Sequence, residues 1–270
     1  MKTVLITGAS SGIGKATAKY FQEQGWNVAA TMRAPEKETE LNSLSNVKLY
    51  RLDVLDSKSI EQAIKDTIQD FGSIDALVNN AGYGATGIFE ASNDEQIKRQ
   101  FDTNVFGLMR VTRAIIPHFR ANKKGHIINV SSMGGRLTFP LYSLYHGTKW
   151  AVEGFSESLH FELRPFGIKV KIVEPGPIQT DFYDRSADII EVGDLTMYSE
   201  YAEKVMKNSN EAGQKAELPI VVAKTIFKAA NNTSAKMRFA VGKPGPMLLW
   251  LRKRIPETWF FAMMRSAVEK

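Results

Sequence analysis

Seven short apolar segments rich in β-branched residues recur along the chain and alternate with longer stretches of helical periodicity. They are TVLIT (3–7), WNVAAT (26–31), VKLYRL (47–52), IDALVN (74–79), GHIINV (125–130), VKIVE (170–174) and MRFAV (237–241). Apolar runs of this length are typical of strands buried on both faces. Their alternation with helices indicates βαβ units. We therefore predict an α/β fold, a doubly wound seven-stranded parallel sheet with helices on both faces.

The same pattern predicts how the chain is organised. No repeat or low-complexity linker interrupts it, so we expect one domain over residues 1–270. Residues 181–218 lie between the last two strands, are rich in polar and aromatic residues, and suit a lid over a pocket. Residues 243–270 form an apolar and basic tail.

Composition narrows the classes of protein that fit this fold. The chain is 43% hydrophobic and 24% charged and has no 18-residue apolar run that could span a bilayer, as expected of a soluble protein. The absence of cysteine excludes disulfides, thiolate metal sites and cysteine nucleophiles, and it fits a cytoplasmic location. The formal charge of +6 is spread along the chain, which favours a solvated surface over a nucleic-acid partner. The histidines show no metal-ligand spacing, so we expect no metal.

A glycine-rich motif, TGASSGIG (7–14), follows the first strand and opens a helix. Glycine permits positive φ and lets backbone N–H groups approach a diphosphate, and the helix N-terminus adds a favourable dipole. Gly8, Gly12 and Gly14 are spaced as G-x-x-x-G-x-G, unlike the G-x-G-x-x-G of most dinucleotide dehydrogenases. A tight turn that needs glycine only for packing is the alternative. The context favours a nucleotide loop and hence a sheet of the Rossmann type.

The end of the second strand indicates which dinucleotide binds. In the usual fingerprint an acidic residue there accepts hydrogen bonds from the ribose 2′-hydroxyl of NAD. Here Met32 holds that place and Arg33 follows it. A carboxylate would repel a 2′-phosphate, whereas a guanidinium would bind it, so the sequence favours NADP(H) over NAD(H). The alternative is an Arg33 that merely faces solvent.

Tyr145 and Lys149 lie four residues apart where an apparent loop meets an apparent helix. About one helical turn separates them, so both side chains project from one face. A phenol has a reference pKa of about 10, and a neighbouring ammonium would lower this pKa towards neutrality, where acid–base catalysis is useful. If the carboxyl end of GHIINVSS lies beside this helix, the Ser132 hydroxyl reaches the same substrate oxygen. Taken alone, such a pair also fits a surface turn.

Six motifs in order make the sequence resemble the short-chain dehydrogenase/reductase superfamily, in its ordinary single-domain branch. They are TGASSGIG (7–14), NNAG (79–82), DTNVFG (102–107), INVSS (128–132), YHGTK (145–149) and PGPIQT (175–180). VAATMR and LYHGTKWAVEGFSESL further resemble NADP-preferring 17β-hydroxysteroid dehydrogenase-like and retinol dehydrogenase-like members. This closer resemblance implies a hydrophobic ketone or secondary alcohol as the substrate.

The resemblance implies a role for each matching catalytic residue. Tyr145 would be the general acid in reduction and the base in oxidation. Lys149 would lower the pKa of Tyr145 and bind the nicotinamide ribose. Ser132 would hold and polarise the substrate carbonyl, and Asn104 would position a water that connects Lys149 to solvent.

The resemblance also implies which residues hold the cofactor. NNAG would support the adenosine side and the sheet centre, Asp53 would lie near the adenine, and Thr180 would contact the nicotinamide carboxamide. Besides Tyr145 and Lys149, the predicted set is Gly8, Ser10, Ser11, Gly12, Ile13, Gly14, Arg33, Asp53, Val54, Asn80, Ala81, Gly82, Pro175, Gly176, Ile178 and Thr180.

These features predict an NADP(H)-dependent oxidoreductase that transfers a hydride between the nicotinamide and a carbonyl or secondary alcohol, with reduction of a hydrophobic ketone or aldehyde as the expected reaction. A catalytically inactive NADP-binding regulatory protein is the alternative, and the intact Ser132, Tyr145, Lys149 and Asn104 argue against it. The family often associates through its long fourth and fifth helices, so we expect a homodimer or homotetramer.

Other residues receive no catalytic role. His146 adjoins Tyr145 but points away from it on a helix, so we expect a packing or surface role. Glu153 and Glu157 follow Lys149 by four and eight residues and are interpreted as a solvated or subunit-facing stripe. The aromatic and Met residues of TWFFAMM (258–264) are expected to make lid or subunit contacts. In MLLWLRKR (247–254) apolar and basic residues are adjacent, so docking of this stretch on a membrane surface is the less favoured alternative.

Overall fold

Seven parallel strands form one sheet in the computed structural model, which describes residues 1–180 and 187–268. The strands are β1 (Thr3–Thr7), β2 (Asn27–Met32), β3 (Val47–Arg51), β4 (Ala76–Asn79), β6 (Gly125–Val130), β7 (Ile168–Pro175) and β9 (Arg238–Val241). Their order in the sheet is β3-β2-β1-β4-β6-β7-β9. The chain starts near the middle and winds outwards first to one edge and then to the other. The predicted doubly wound sheet and all seven of its strands are confirmed.

Helices connect these strands, and their ends follow from local chemistry. They are α1 (Gly12–Glu23), α2 (Ser57–Phe71), α3 (Asp94–Phe101), α4 (Leu108–Ala121), α5 (Ser143–Leu163), α6 (Ser199–Gln214), α7 (Ile220–Ala230), α8 (Gly245–Arg252) and α9 (Glu257–Val268). At the start of α2, for example, the Asp56 carboxylate accepts the N–H groups of Lys58 and Ser59, and Gly72, with a φ of +82°, ends the helix. One π-helical turn, Asp102–Gly107, separates α3 from α4.

The helices cover both faces of the sheet. In β1, Val4 and Ile6 belong to the core shared with α1 and α7, whereas Leu5 belongs to the core shared with α2, α4 and α5. This alternation follows from the two-residue repeat of a strand. Because both faces are covered, the sheet meets water mainly at its strand ends, which is where ligands can reach it.

A second, two-stranded parallel sheet was not predicted. It pairs β5 (Gly84–Gly87) with β8 (Ala187–Ile190). Both β8 and α6 belong to the predicted lid, of which residues 181–186 lie outside the described residues. The Arg99 guanidinium of α3 is bonded to Asp188 of β8, so this segment is tied to the body of the fold.

The predicted tail folds into α8 and α9, and its residues 269–270 lie outside the described part of the chain. Leu249, Phe260 and Met264 from these helices pack with Met133 and Leu137 of the loop after β6. None of the helices within the two described ranges has the length and apolar character needed to cross a membrane.

Candidate active site at the carboxyl edge of the sheet

The predicted site residues gather at one edge of the sheet, where its parallel strands end. The glycine loop follows β1, Arg33 follows β2, Asp53 lies beyond β3, and NNAG, INVSS and PGPIQT begin within or at the ends of β4, β6 and β7. The register places Thr7 opposite Thr31, so the glycine loop and Arg33 start from neighbouring positions. Open parallel sheets bind their ligands at this edge.

The glycine loop has the backbone that its motif predicts. Gly8 and Gly12 have left-handed φ values of +67° and +50°. A Cβ on Gly14 would lie 2.1 Å from the Gly8 carbonyl oxygen, so this turn requires glycine. The side chain of Ser11 does not cap the first amides of α1, which leaves these N–H groups for an anionic ligand. The loop, with Ser10 exposed and Ile13 partly buried, therefore fits a diphosphate.

NNAG holds this loop in place. Thr7 Oγ1 accepts the N–H groups of Asn80 and Ala81 at 3.0 Å each, and Asn80 Nδ2 donates to the carbonyl oxygens of Thr7 and Gly8 at 3.0 Å each. A Cβ on Gly8 would lie 2.9 Å from Ala81 Cα. These contacts therefore fix the backbone of the glycine loop. The neighbouring Gly82 is exposed.

Arg33 is exposed immediately after the buried Met32. Within the described ranges no carboxylate pairs with Arg33, whereas both Glu38 and Glu40 of the following loop pair with Lys15 of α1. The Arg33 guanidinium is thus available to an anionic ligand beside the glycine loop.

The loop after β3 places Asp53 and Val54 at the same edge. Asp53 Oδ1 accepts the Leu55 N–H at 3.0 Å, and the Asp53 N–H donates to Ser59 Oγ at 3.0 Å. Val54 is buried against Gly107 of the π-helical turn. Both residues therefore shape the loop, and their contacts do not by themselves identify an adenine site.

The segment after β7 crosses in front of the glycine loop. Pro175 ends the strand in a buried position, and the Gly176 N–H is bonded to the end of β9 at 2.7 Å. Ile178 is buried beneath the segment. A Cβ on Gly12 would lie 3.4 Å from Thr180 Cγ2, so Thr180 faces the start of α1.

Tyr145 and Lys149 lie on α5 beside the end of β6. Lys149 Nζ is 5.6 Å from the centroid of the Tyr145 ring and donates to the Val130 carbonyl oxygen at 2.9 Å. Burial lowers the pKa of Lys149 to about 8, and the Glu153 carboxylate acts in the opposite direction. Burial also raises the pKa of Tyr145 to about 12, opposed by its hydrogen bond with Ser132. Burial is the largest influence on the pKa of Tyr145, and the lowering of this pKa by Lys149 stays a prediction.

The loop after β6 brings Ser132 to Tyr145. Ser132 Oγ accepts the Gly134 N–H at 3.0 Å. The buried His146 ring fixes the same loop, since its Nε2 accepts the Phe139 N–H at 3.0 Å and its Nδ1 lies 2.9 Å from the Gly134 carbonyl oxygen. Burial lowers the pKa of His146 to about 4, so the ring is neutral and donates from Nδ1. The predicted packing role of His146 is confirmed.

Asn104 occupies the π-helical turn, a wide helical turn that often occurs at functional sites. Its Oδ1 accepts the Tyr83 N–H at 3.1 Å, and its Nδ2 donates to the Tyr83 carbonyl oxygen at 2.8 Å and to Thr148 Oγ1 at 3.2 Å. Asn104 thereby links the segment after NNAG to the residue that precedes Lys149. Its positioning of a water stays a prediction.

Glu153 does not belong to a solvated stripe, so this interpretation was wrong. The side chain is buried, and its carboxylate accepts from Arg238 Nε of β9 at 3.0 Å. Arg238 also lies 3.3 Å from the buried Glu174 and bonds to Glu157, whose side chain is exposed as predicted. Arg136, from the loop after Ser132, pairs with Glu174 at 3.1 Å.

This buried ionic cluster was missed because its members are far apart in the chain. Arg238 and Glu153 are separated by 85 residues, and only the pairing of β9 with β7 brings the guanidinium beneath α5. Burial raises the pKa of Glu153 to about 7, and the neighbouring Glu174 carboxylate acts in the same direction. Glu153, whose pKa depends on these neighbouring charges, therefore lies one helical turn after Lys149 on α5.

The other histidines do not form a metal centre. His118 Nε2 accepts the Ile74 N–H at 3.1 Å, and burial lowers the pKa of His126 to about 4. Across residues 1–180 and 187–268, no group of three or more His, Cys, Asp or Glu side chains is arranged to hold a metal ion.

The chain is similar to known proteins over most of its length. The family described as short chain dehydrogenase matches residues 2–188. An uncharacterized oxidoreductase of Schizosaccharomyces pombe is 40% identical over 238 residues, which cover 87% of this chain and 98% of that protein. A 3-ketodihydrosphingosine reductase of Bacteroides thetaiotaomicron is 39% identical over 206 residues, which cover 76% of this chain and 73% of that protein.

Solved structures share the fold. A short-chain dehydrogenase from Streptomyces avermitilis superimposes with a TM-score of 0.82 at 34% identity, covering 98% of this chain and 93% of that chain. ElxO with NADP bound gives a TM-score of 0.74 at 30% identity, covering 89% of this chain and 96% of that chain. The fold of this chain is thus similar to that of a short-chain dehydrogenase and to that of a protein that binds NADP.

We expect Glu153→Gln to flatten the pH dependence of stability. The pKa of Glu153 is about 7 in the folded chain against an ordinary value of 4.5, so between these pH values the folded state keeps a proton that the unfolded state has lost. The free energy of unfolding contributed by this group should fall as the pH rises through that window, by up to about 3 kcal/mol. Urea denaturation at a series of pH values measures this free energy of unfolding.

The matched control is Glu157→Gln, an exposed glutamate on the same helix that contacts the same Arg238. It should retain the pH dependence of the unaltered chain. Parallel curves for the unaltered chain and Glu153→Gln would show that Glu153 does not hold this proton.

Proposed function

The chain belongs to the short-chain dehydrogenase family, and from this premise we propose that it is an NADP(H)-dependent oxidoreductase acting on a carbonyl or secondary alcohol. The observation that carries the proposal is the convergence of Ser132, Tyr145 and Lys149 beside a loop that fits a diphosphate. This family binds a nicotinamide cofactor, which supplies or accepts the hydride when bound. The binding residues are those of the glycine loop, Arg33 and the segment ending at Thr180.

The side chains of this site handle the proton and orient the substrate. In reduction Ser132 holds the carbonyl oxygen next to Tyr145, and the Tyr145 hydroxyl donates its proton to that oxygen. Because burial raises its pKa, the phenol is protonated at neutral pH and ready to donate. The Lys149 ammonium stabilises the phenolate that remains. In oxidation the same groups act in reverse, with Tyr145 as the base.

Two observations support the finer assignments. The exposed Arg33 beside the glycine loop, which no carboxylate of the described residues pairs with, suits a 2′-phosphate, and ElxO, 30% identical, has been seen with NADP bound. A hydrophobic ketone is supported by the reductase relative whose name specifies a 3-keto long-chain base. The inactive regulatory alternative has no support in these relatives, which are named as oxidoreductases or reductases.

Tyr145→Phe should lower the rate of carbonyl reduction by at least about 100-fold, because the proton donor is removed while the ring remains. A panel of ketones, aldehydes, steroids and retinoids, followed by NADPH absorbance, first identifies a substrate. NADPH affinity, measured by fluorescence titration, should change little.

Tyr50→Phe is the control, because it removes a tyrosine hydroxyl on the edge strand β3 that is bonded to Asp70 of α2. It should leave turnover within about twofold of the unaltered chain, because the ring stays in place and three strands of the sheet lie between β3 and β6. Substantial activity in Tyr145→Phe would mean that another group is the acid.

Arg33→Ala should weaken NADPH binding by about tenfold or more and leave NADH binding nearly unchanged, since a charge-assisted contact to the 2′-phosphate is lost. Titration calorimetry with both cofactors measures this without a substrate. Arg120→Ala, which removes an exposed arginine at the end of α4, should change neither affinity. An unchanged ratio of the two affinities in Arg33→Ala would contradict the NADP assignment.

A further inference from the structure

The C-terminal helices leave large apolar side chains on the surface. One side of α8 and α9 is committed to the fold, where Leu249 and Phe260 pack on the loop after β6. On the outer side of α8, Met247 is 61% exposed and Trp250 is 58% exposed. These two residues are three apart and therefore share a helix face. Exposed apolar side chains that lie next to each other on one helix face can form an interaction site.

The neighbouring α9 exposes two more aromatic rings. Trp259 is 69% exposed and Phe261 is 45% exposed. The Arg252 guanidinium, in the last turn of α8, lies 5.3 Å from the Phe261 ring and so joins the two helices. We call Met247 and Trp250 of α8, with the neighbouring Lys253 and Arg254, the C-terminal aromatic face.

Cations accompany the aromatic rings. The Arg254 guanidinium lies 5.5 Å from the centroid of the Trp250 ring, and Lys253 beside it is exposed. From residue 243 to residue 268 the cations are Lys243, Arg252, Lys253, Arg254 and Arg265, and the one carboxylate is Glu257. Arg252 is bonded to Glu257, so the other cations determine the charge that a partner meets.

We propose that the C-terminal aromatic face docks on the surface of an anionic lipid bilayer. Tryptophan is favoured at the depth of the lipid headgroups, and short helices with an apolar face bordered by Lys and Arg lie in that interface. The basic side chains complement anionic headgroups. The sequence alone favoured lid or subunit contacts over docking on a membrane surface. The exposed rings favour docking on a membrane surface instead.

A second copy of the chain fits this face less well. In a two-fold symmetric contact the same patch meets itself, so a patch that carries Lys253 and Arg254 would face a second patch with the same positive charge. Such a contact would need acidic partners that the face lacks among the described residues, where Glu257 is already bonded to Arg252. Anionic headgroups supply the missing charge directly.

Docking there would bring the bilayer next to the candidate active site. Leu249 packs in one cluster with Met133, which follows Ser132, and a Cβ on Gly245 would lie 3.2 Å from Gly176 Cα. A hydrophobic carbonyl compound dissolved in the bilayer would therefore have a short path to Tyr145. This delivery role rests on the proposed function, whereas docking itself does not.

The test is cosedimentation of the full chain with sucrose-loaded vesicles. Vesicles of phosphatidylglycerol and phosphatidylcholine in equal parts should bind the chain more tightly than vesicles of phosphatidylcholine alone, and high salt should weaken this binding. The double variant Lys253→Glu/Arg254→Glu should lower the affinity by at least about tenfold. Trp250→Ser should lower it by at least about threefold, because an interfacial ring is lost.

Two control variants change the same kinds of side chain elsewhere on the surface. Lys65→Glu changes an exposed lysine on α2, and Phe161→Ser removes a phenylalanine that is 71% exposed on α5. Both should bind vesicles within about twofold of the unaltered chain. Turnover of a water-soluble carbonyl compound by the double variant separates the two proposals. If the variant loses vesicle binding but keeps this turnover, the docking proposal is supported and the proposed chemistry is unaffected.

The proposal is overturned if the phosphatidylglycerol vesicles bind no better than phosphatidylcholine alone, or if the double variant binds them unchanged. It is also overturned if Trp250→Ser lowers the mass of an oligomer in analytical ultracentrifugation, which would make the face a subunit contact. Tighter binding to duplex DNA than to the anionic vesicles, lost in the double variant, would assign the face to nucleic acid instead.

Discussion

The two-sided burial of a parallel sheet is the constraint on which the rest of this structure depends. Helices cover both faces, so polar groups that serve a ligand can be placed mainly where the strands end. All strands of the main sheet point the same way, and their carboxyl ends bring together loops that are far apart in the chain. The glycine loop after β1 and the serine loop after β6 become neighbours for this reason, because only β4 separates β1 from β6.

Buried polar side chains then fix α5 against that edge. Asn79 Nδ2 donates to Thr112 Oγ1 and to Asn129 Oδ1 at 2.9 Å each, and Asn129 Nδ2 donates to Ser156 Oγ at 2.8 Å. Buried polar groups lose free energy when they lack partners, so such a network favours one arrangement of the strands and helices. The network joins β4 and β6 to α4 and α5, and α5 carries both Tyr145 and Lys149.

The electrostatics of the site follow from burial more than from the pairing of two side chains. The sequence suggests that the ammonium of Lys149 lowers the pKa of Tyr145, and the fold adds the burial of Lys149 and the partial burial of Tyr145. Lys149 is held by a backbone carbonyl oxygen, and the nearest group of opposite charge that influences it is Glu153. Glu153 in turn depends on Arg238 of the last strand. The C-terminal strand therefore contributes to the environment of the catalytic helix.

The sequence by itself determined the seven strands, the glycine loop and the set of motifs that gather at one edge, because each rests on local periodicity or on a short motif with its own backbone geometry. Tertiary structure alone decided the pairing of β5 with β8, the burial of Glu153 and the outward side of α8 and α9. β5 and β8 are short and join segments about 100 residues apart, so no local period marks them. Glu153 has the spacing of a surface residue, and only an arginine 85 residues away makes its burial possible. Which apolar side chains of the tail remain exposed depends on how many of them the loop after β6 can cover, and that is a property of packing rather than of sequence pattern.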